Sequence, residues 1–373
     1  MKSVALYIHI PFCAQKCLYC DFPSFAGKEN FMMDYAIALA SEINSIKHRK
    51  IKTIFIGGGT PTYLSLKGWK IISESIEGLD TDPNLEFTVE GNPGTFTMEI
   101  LKLLKELGVN RLSIGLQAFQ DPLLKKLGRI HTAYDFKQSF EMARNIGFHN
   151  INVDLMFGLP SQSLVQWLET IENVTKLNPE HLSCYSLIIE EGTVFYNKFK
   201  TGALNLPNEE LERTMYYETI ERLREKGYIQ YEISNFAKNH MVCEHNLVYW
   251  NLDEYIGCGS ASHSYSDGFR YRNEENIEKY IEKMNTIGNA TVEKTKNSMV
   301  DDMEEFMFMG LRKMRGINKS EFKKRFNSDI HSVYGSVINK YVITKFMEES
   351  DDNIFLTYEG IQLSNVIMSE FLL

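Results

Sequence analysis

The 373-residue sequence has no apolar run approaching the length of a membrane span and no cleavable hydrophobic leader, since Met1 to Leu6 holds one lysine and passes straight into a strand-like segment. Positive charge is not in excess either: 40 Lys and Arg stand against 49 Asp and Glu, for a net charge of −9. That balance argues against a general nucleic-acid binder, whose phosphate contacts need clustered cations. Low-complexity tracts are missing, and 43% apolar with 24% charged residues excludes disorder on composition. Cysteine is scarce, with six in all. The same features place the chain in the cytosol, where thiols stay reduced and read as ligands, reactive groups or core filler rather than disulfides.

What is present is a repeating alternation of β-branched runs and amphipathic segments. Strands are expected at Val4 to His9, Thr53 to Ile56, Leu85 to Val89, Arg111 to Gly115, Ile151 to Met156 and His181 to Leu187, with helix-spaced apolar residues between them. Such repetition builds parallel sheet with right-handed crossovers, and six units predict an incomplete β/α barrel. The unusual polar and glycine features fall where strands end, which in such barrels is where active sites are built. The expected fold is α/β: a partial (β/α)6 barrel over 1–205, a connecting region over 206–290 that opens on a helix from Asn208 to Lys226, and a mostly helical, winged-helix-like domain over 291–373. In the last, helices are expected at Asp301 to Lys313, Lys319 to Phe326 and Ser336 to Glu348, then a strand at Ile354 to Thr357 and a final helix.

Half of the cysteines fall in YIHIPFCAQKCLYCDF, Tyr7 to Phe22, as Cys13, Cys17 and Cys20. A disulfide does not suit the cytosol, and three core cysteines do not suit a loop beside Pro11. Zinc needs a fourth ligand, which His9 could supply. A [4Fe–4S] cluster on three thiolates leaves one iron free. The lone CxxxCxxC, without a second downstream pair, resembles the motif of radical S-adenosylmethionine (radical SAM) enzymes. The resemblance implies that SAM chelates the free iron through its amino and carboxylate groups, and that electron transfer through the cluster cleaves the sulfonium to a 5′-deoxyadenosyl radical.

GGGTPT, Gly57 to Thr62, taken alone is a glycine turn after a strand and lacks the ending of a phosphate-binding loop. Beside the cysteines it resembles the glycine motif that meets the SAM ammonium. With YIHIPFC, VEGNPGT, RLSIGLQAF, LGRIH and NVDLMFGLP, the first 160 residues are similar to the oxygen-independent coproporphyrinogen oxidase family of radical SAM proteins. That similarity implies that Tyr7 lies at the cluster and SAM, that Gly58, Gly59 and Thr60 contact the methionyl end, and that Glu90, Gln117, Arg129 and Asp154 line the rest of the pocket. The types suit the ligand: a carboxylate wants a cation, and ribose hydroxyls want acceptors. For any one of these residues alone, a cap or surface ion pair is the plainer role.

Dehydrogenases of that family carry a further cysteine two positions after the third and an extra N-terminal segment. This chain has Phe22 there and begins nine residues before its first strand ends. Both departures resemble the haem-chaperone branch. CEHNLVYW, Cys243 to Trp250, resembles the haem-associated HNxxYW motif of that branch, which implies His245 as iron ligand, Tyr249 and Trp250 stacking on the macrocycle, and Asn246 between them. An aromatic turn packing the tail on the barrel is the plainer account. Cys243 is an alternative soft ligand, His263 a substrate contact or loop cap, the Phe306 to Met309 run helical core, and Cys184 and Cys258 not ligands.

The expectation is a cytoplasmic haem chaperone with a [4Fe–4S] cluster, SAM and haem as cargo. It would deliver haem to an acceptor protein, respiratory by this reading, with no nucleic acid, no membrane span and peripheral membrane contact allowed. Coproporphyrinogen oxidation is not expected. The competing readings are the dehydrogenase itself and a zinc scaffold.

Overall fold

In the computed structural model, which describes residues 3–238 and 240–373, six parallel strands follow one another in chain order. They are β1 (Val4–Ile10), β2 (Lys50–Gly58), β3 (Asp80–Gly91), β4 (Arg111–Gln117), β5 (Ile151–Phe157) and β6 (His181–Ser186). The helices between them begin where short polar side chains can cap. Thr132 with Asp135 and Ser163 with Gln166 form reciprocal capping boxes for the helices Ala133–Ile146 and Leu164–Lys176, and Gly147 at φ 97° ends the first of these.

Strand side chains alternate between two environments, as a two-residue period demands. Leu6, Ile8, Ile54, Ile56, Phe87, Val89, Leu112, Ile114, Val153, Leu155 and Leu182 are buried under the helices with Trp69 and Trp167, in the main core. The other face carries Tyr7, His9, Thr53, Glu86, Thr88, Glu90, Arg111, Ser113, Asn152, Asp154, His181 and Ser183. A parallel sheet covered on both faces ordinarily reads as apolar on both. Here the inner face is polar, and its hydrogen bonds must be found inside the barrel.

The segment 206–290 is not a separate body hung on this sheet. On one edge β8 (Asn235–Ala237) pairs antiparallel with β6, and β7 (Ile229–Gln230) with β8. On the other, β9 (Tyr255–Cys258) runs parallel to β1, and β10 (His263–Ser266), β11 (Phe269–Asn273) and β12 (Thr291–Lys296) continue antiparallel to give 12 strands. Both outer edges are guarded: β7 is two residues long, and β12 exposes Glu293, Lys294 and Lys296. The helix Glu209–Glu225 lies within the expected span, Asn208 forming its cap.

The C-terminal residues form a second core around Phe306, Phe322, Tyr334, Ile354 and Phe371, which Leu252 and Tyr265 join from the sheet side. The helix Met299–Gly310 leads to β13 (Ile317–Asn318), the helices Lys319–Phe326 and Ile330–Ile343, and the hairpin of β14 (Met347–Glu349) and β15 (Asn353–Leu356). This is the strand-helix-helix-hairpin order of a winged helix. The third helix starts and stops earlier than its spacing suggested. Asp329 caps it through His331 N–H, and Met347 and Glu348, expected as its last residues, pair with β15 together with Glu349 after Lys345 turns at φ 63°. The final helix breaks at Leu363 into Tyr358–Gln362 and Ser364–Ser369. Polar ties lock this module to the sheet: Arg270 grips Glu305 with two bonds of 2.6 Å, and Tyr265 donates to Asp302 at 2.7 Å.

Candidate functional site

The cysteine loop leaves β1 and is pinned along its length by backbone bonds. Cys13 N–H reaches Phe25 O at 3.0 Å, Phe25 N–H reaches Pro11 O at 2.8 Å, and Leu18 N–H reaches Leu127 O at 2.9 Å. Phe12 anchors it, buried edge-on against Tyr35 at 5.3 Å. Cys13 is buried, Cys17 and Cys20 are half-buried, and all three are free thiols. Burial pushes the Cys13 and Cys20 thiols up, which bonding to a cation would reverse.

His9 does not complete a zinc site. Its Nε2 donates to Pro23 O at 2.8 Å and its Nδ1 accepts from Tyr7 OH at 2.9 Å, and burial lowers its pKa to about 4. Tyr7 therefore faces His9 and, at 6.4 Å, the Phe55 ring.

The glycines of GGGT are needed by the protein itself before any ligand. A Cβ on Gly57 would lie 2.7 Å from Glu90 Oε2, one on Gly58 (φ 109°) would strike the His9 ring, and one on Gly59 would lie 2.7 Å from Phe12 O. Gly59 N–H and Thr60 N–H are spent on Ile10 O and Phe12 O, each at 2.8 Å. These two amides form a seam that sews β2 to the cysteine loop.

From that seam a polar chain runs across the mouth. Thr60 Oγ1 stands 3.4 Å from Cys13 Sγ and accepts from Asn92 Nδ2 at 2.7 Å. Asn92 Oδ1 accepts from Arg129 Nη1 at 2.5 Å, and Arg129 Nη2 donates to Tyr19 OH at 3.0 Å. Arg129 Nε is buried with no partner. An unpaired buried cationic donor is costly unless an anion meets it, so the guanidinium suits a carboxylate ligand in a way that the protein alone leaves unmet. Gln117 holds a left-handed φ of 70°, and a Cβ on Gly115 would come within 2.9 Å of Asn92 Oδ1. Glu90, opposite Gly57, has its pKa pushed up to about 8, first by burial and then by the Asp154 charge. Three thiols in a fixed loop and an unsatisfied cation beside them fit the iron–sulfur cluster and SAM that the sequence implied.

The HNLVYW segment lies elsewhere. It forms the helix Glu244–Trp250, whose first amides bond Glu86: Glu244 N–H and His245 N–H each at 2.9 Å. His245, 1% exposed, donates and accepts through both ring nitrogens, Nδ1 with Thr53 Oγ1 at 2.8 Å and Nε2 with Tyr249 OH at 2.9 Å, against the Phe55 ring at 5.2 Å. Thr53 pairs with Glu86 two residue steps below the Phe55 and Thr88 level and four below Gly57 and Glu90. The helix therefore forms the barrel's floor, at the end away from the cysteines. Burial lowers the His245 pKa to about 3. In this conformation His245 has no free nitrogen for iron. Trp250 stacks under Arg312 at 4.6 Å with its Nε1 unpartnered, and Asn246 is half-buried beside it. Cys243 is buried and donates toward Glu86 at 3.5 Å, while His263 sits exposed at the start of β10.

Sequence reasoning assigned no role to Tyr19, Asn92, Gly115, Ser113, Asn152 or His181, although the first five lie inside the motifs it used. Their signal was parity. Each strand member of this set is an even number of residues from a strand-end acid or from another inward polar residue, and so shares its face.

The sequence also compares with known proteins. The radical SAM superfamily profile matches residues 7–174, and the HemN C-terminal domain profile matches residues 298–363. The chain is 42% identical, over its full length and 99% of the relative, to heme chaperone HemW of Bacillus subtilis (strain 168). It is 36% identical, over its full length and 98% of the relative, to heme chaperone HemW of Lactococcus lactis subsp. lactis (strain IL1403). Among solved structures, coproporphyrinogen III oxidase (HemN) from Escherichia coli, a radical SAM enzyme by its description, superimposes with a TM-score of 0.86 over 99% of this chain and 90% of that one, at 22% identity. That likeness is one of fold.

Proposed function

Because the chain belongs to the HemW family of radical SAM proteins, we propose that it is a haem chaperone. In this reading it holds a [4Fe–4S] cluster on Cys13, Cys17 and Cys20, binds SAM in the barrel mouth, carries haem and hands it to an acceptor protein. The observation that supports the SAM part of this reading is the buried Arg129 Nε with no partner, at the end of a hydrogen-bonded chain that starts at Cys13. The haem part rests on the kinship with heme chaperone HemW. Cluster and SAM together would supply one-electron chemistry.

The chain's own residues bind and orient. Arg129, already aimed by Asn92 and Tyr19, offers its remaining donor to a carboxylate. Glu90 is mostly protonated at neutral pH and gives up that proton when a cationic amino group lies beside it, so it accepts a cation without a standing buried charge. Asp154 accepts from ribose hydroxyls. Gln117 and Thr60 complete the polar wall, and Tyr7 contributes by fixing the His9 tautomer. Haem is carried away from His245 while the floor helix stays seated, since that imidazole has no free nitrogen.

Coproporphyrinogen oxidation falls outside this reading, for Phe22, 62% exposed, stands where the family's dehydrogenases carry a further cysteine. The acceptor is a protein, respiratory by this reading and met by peripheral contact at the cytoplasmic face of a membrane. Among the described residues no helix is long and apolar enough to cross one. Nucleic acid is disfavoured as partner because the turn between β14 and β15 of the winged-helix-like module carries Asp351 and Asp352. The test is a paired assay on anaerobically reconstituted protein: it should bind haem and leave coproporphyrinogen III unconverted. Efficient formation of protoporphyrinogen IX would overturn the reading in favour of the dehydrogenase.

A further inference from the structure

Asp154 is held by more of the protein than any other acid at the mouth. Ser113 Oγ donates to its Oδ2 at 2.7 Å, and Asn152 Nδ2 donates to its Oδ1 at 2.8 Å. Asn152 uses its second amide hydrogen on Ser113 Oγ at 2.8 Å, while its Oδ1 accepts from His181 Nδ1 at 2.7 Å and Ser183 Oγ at 3.2 Å. All four hydrogen-bonding positions of the Asn152 side chain are therefore filled. His181 Nε2 accepts from Tyr231 OH at 2.9 Å, and that hydroxyl accepts Cys243 N–H at 3.2 Å, at the N-terminus of the floor helix.

One proton assignment satisfies this whole chain. Tyr231 donates to Nε2, so the His181 proton is on Nδ1 and faces Asn152. That donation fixes the carbonyl side of the Asn152 amide toward His181 and the NH2 side toward Asp154. Without it the amide could turn over and set its oxygen against the carboxylate. Burial and the Arg111 charge hold the His181 pKa well below its ordinary value, which keeps Nε2 an acceptor.

We propose that Ser113, Asn152 and His181 are positioning residues that lock the Asp154 carboxylate in one orientation for a vicinal diol at the barrel mouth. The proposal rests on the reading that SAM binds there with its ribose at Asp154. Each Asp154 oxygen accepts one protein bond and retains capacity for a ligand hydroxyl. The locked rotamer spares the ligand the cost of ordering it.

The experiment uses the cluster-loaded full chain and reads binding, not turnover, through the change in the reduced cluster's electron paramagnetic resonance spectrum on titration with SAM and, separately, with methionine, which has no ribose. Ser113→Ala should weaken SAM about tenfold, the loss of a bond worth ~1.4 kcal/mol, and leave methionine unchanged. His181→Phe should act in the same direction. Iron content per chain controls for loading, and the smaller change Ser113→Ala keeps the test open if His181→Phe does not fold. Equal weakening of SAM and methionine, or wild-type SAM affinity in Ser113→Ala, overturns the proposal and leaves SAM binding intact. If the unaltered protein shows no spectral response to SAM, the SAM reading itself fails and takes the proposal with it.

Discussion

Replacing His245 by alanine should unfold the barrel's floor more than it disturbs haem. The imidazole is buried, bonded on both sides and packed on Phe55, so its loss removes two hydrogen bonds of about 1 kcal/mol each and strands the Thr53 and Tyr249 hydroxyls at about 1 to 3 kcal/mol apiece. Since each lost bond and its stranded hydroxyl are one cost rather than two, the total is about 2 to 6 kcal/mol before the partly collapsed ring-sized void adds to it. Tyr249→Phe removes only one of the bonds and should cost about 1 to 2 kcal/mol. Because the two side chains touch, their effects should not add, and the double variant should cost less than the sum. Urea unfolding of the single and double variants reads the stability, and a haem titration followed in the Soret band reads the cargo. The reasoning is refuted if His245→Ala keeps the wild-type urea midpoint while its Soret spectrum or haem affinity changes, the pattern of an accessible ligand.

Acid should weaken the fold before most carboxylates protonate. His245, His9 and His131 have folded values of about 3, about 4 and about 4 against an ordinary 6.5, mainly through burial. The unfolded chain therefore takes up these protons first, so the stabilisation is whole above pH 6.5 and drains away as pH falls toward 4. An unfolding midpoint that stays flat between pH 7.5 and 5 would contradict it. Gly59→Ala should displace the cysteine loop, since its Cβ would sit 2.7 Å from the Phe12 carbonyl. Its reconstituted protein should then hold clearly less iron and sulfide, whereas full wild-type loading would show that the seam yields. Cys13→Ala should lose the about four irons per chain expected of a [4Fe–4S] cluster, and stoichiometric zinc in the unaltered protein would instead favour a scaffold. Arg129→Met should weaken SAM by about 10- to 100-fold, the range of a charge-assisted bond, and unchanged affinity would remove it as the carboxylate's partner.

The barrel was legible because its signal is local. β-branched runs such as Ile151 to Met156 and Arg111 to Gly115 each bury one face under amphipathic helices, and every expected barrel strand overlaps an observed one. The third C-terminal helix was misjudged for the opposite reason. Met347 to Glu349 has a helix-compatible composition, and only the distant β15 makes it a strand. Strands β8 and β9 were missed as sheet because they are short and their partners, β6 and β1, lie far away in sequence.

Within the site, the thiols, the strand-end acids and the glycine seam could be named from the chain, since motif spacing and strand ends are properties of contiguous residues. Which atoms face which could not. Spacing marked His245 as a candidate iron ligand, but the fold seats it on Thr53 and Tyr249 at the far end of the barrel from Cys13. The same spacing treated Asp154 as a single acid, whereas packing of β4, β5 and β6 joins it to Ser113, Asn152 and His181. The sequence by itself determined the kind of protein and the residue types at its mouth, because cluster loops and β/α units are written in short segments. The tertiary structure alone decided which of those polar groups are already satisfied by the protein and which, like Arg129 Nε, have no partner among the described residues. Hydrogen-bond satisfaction depends on neighbours brought together from strands dozens of residues apart.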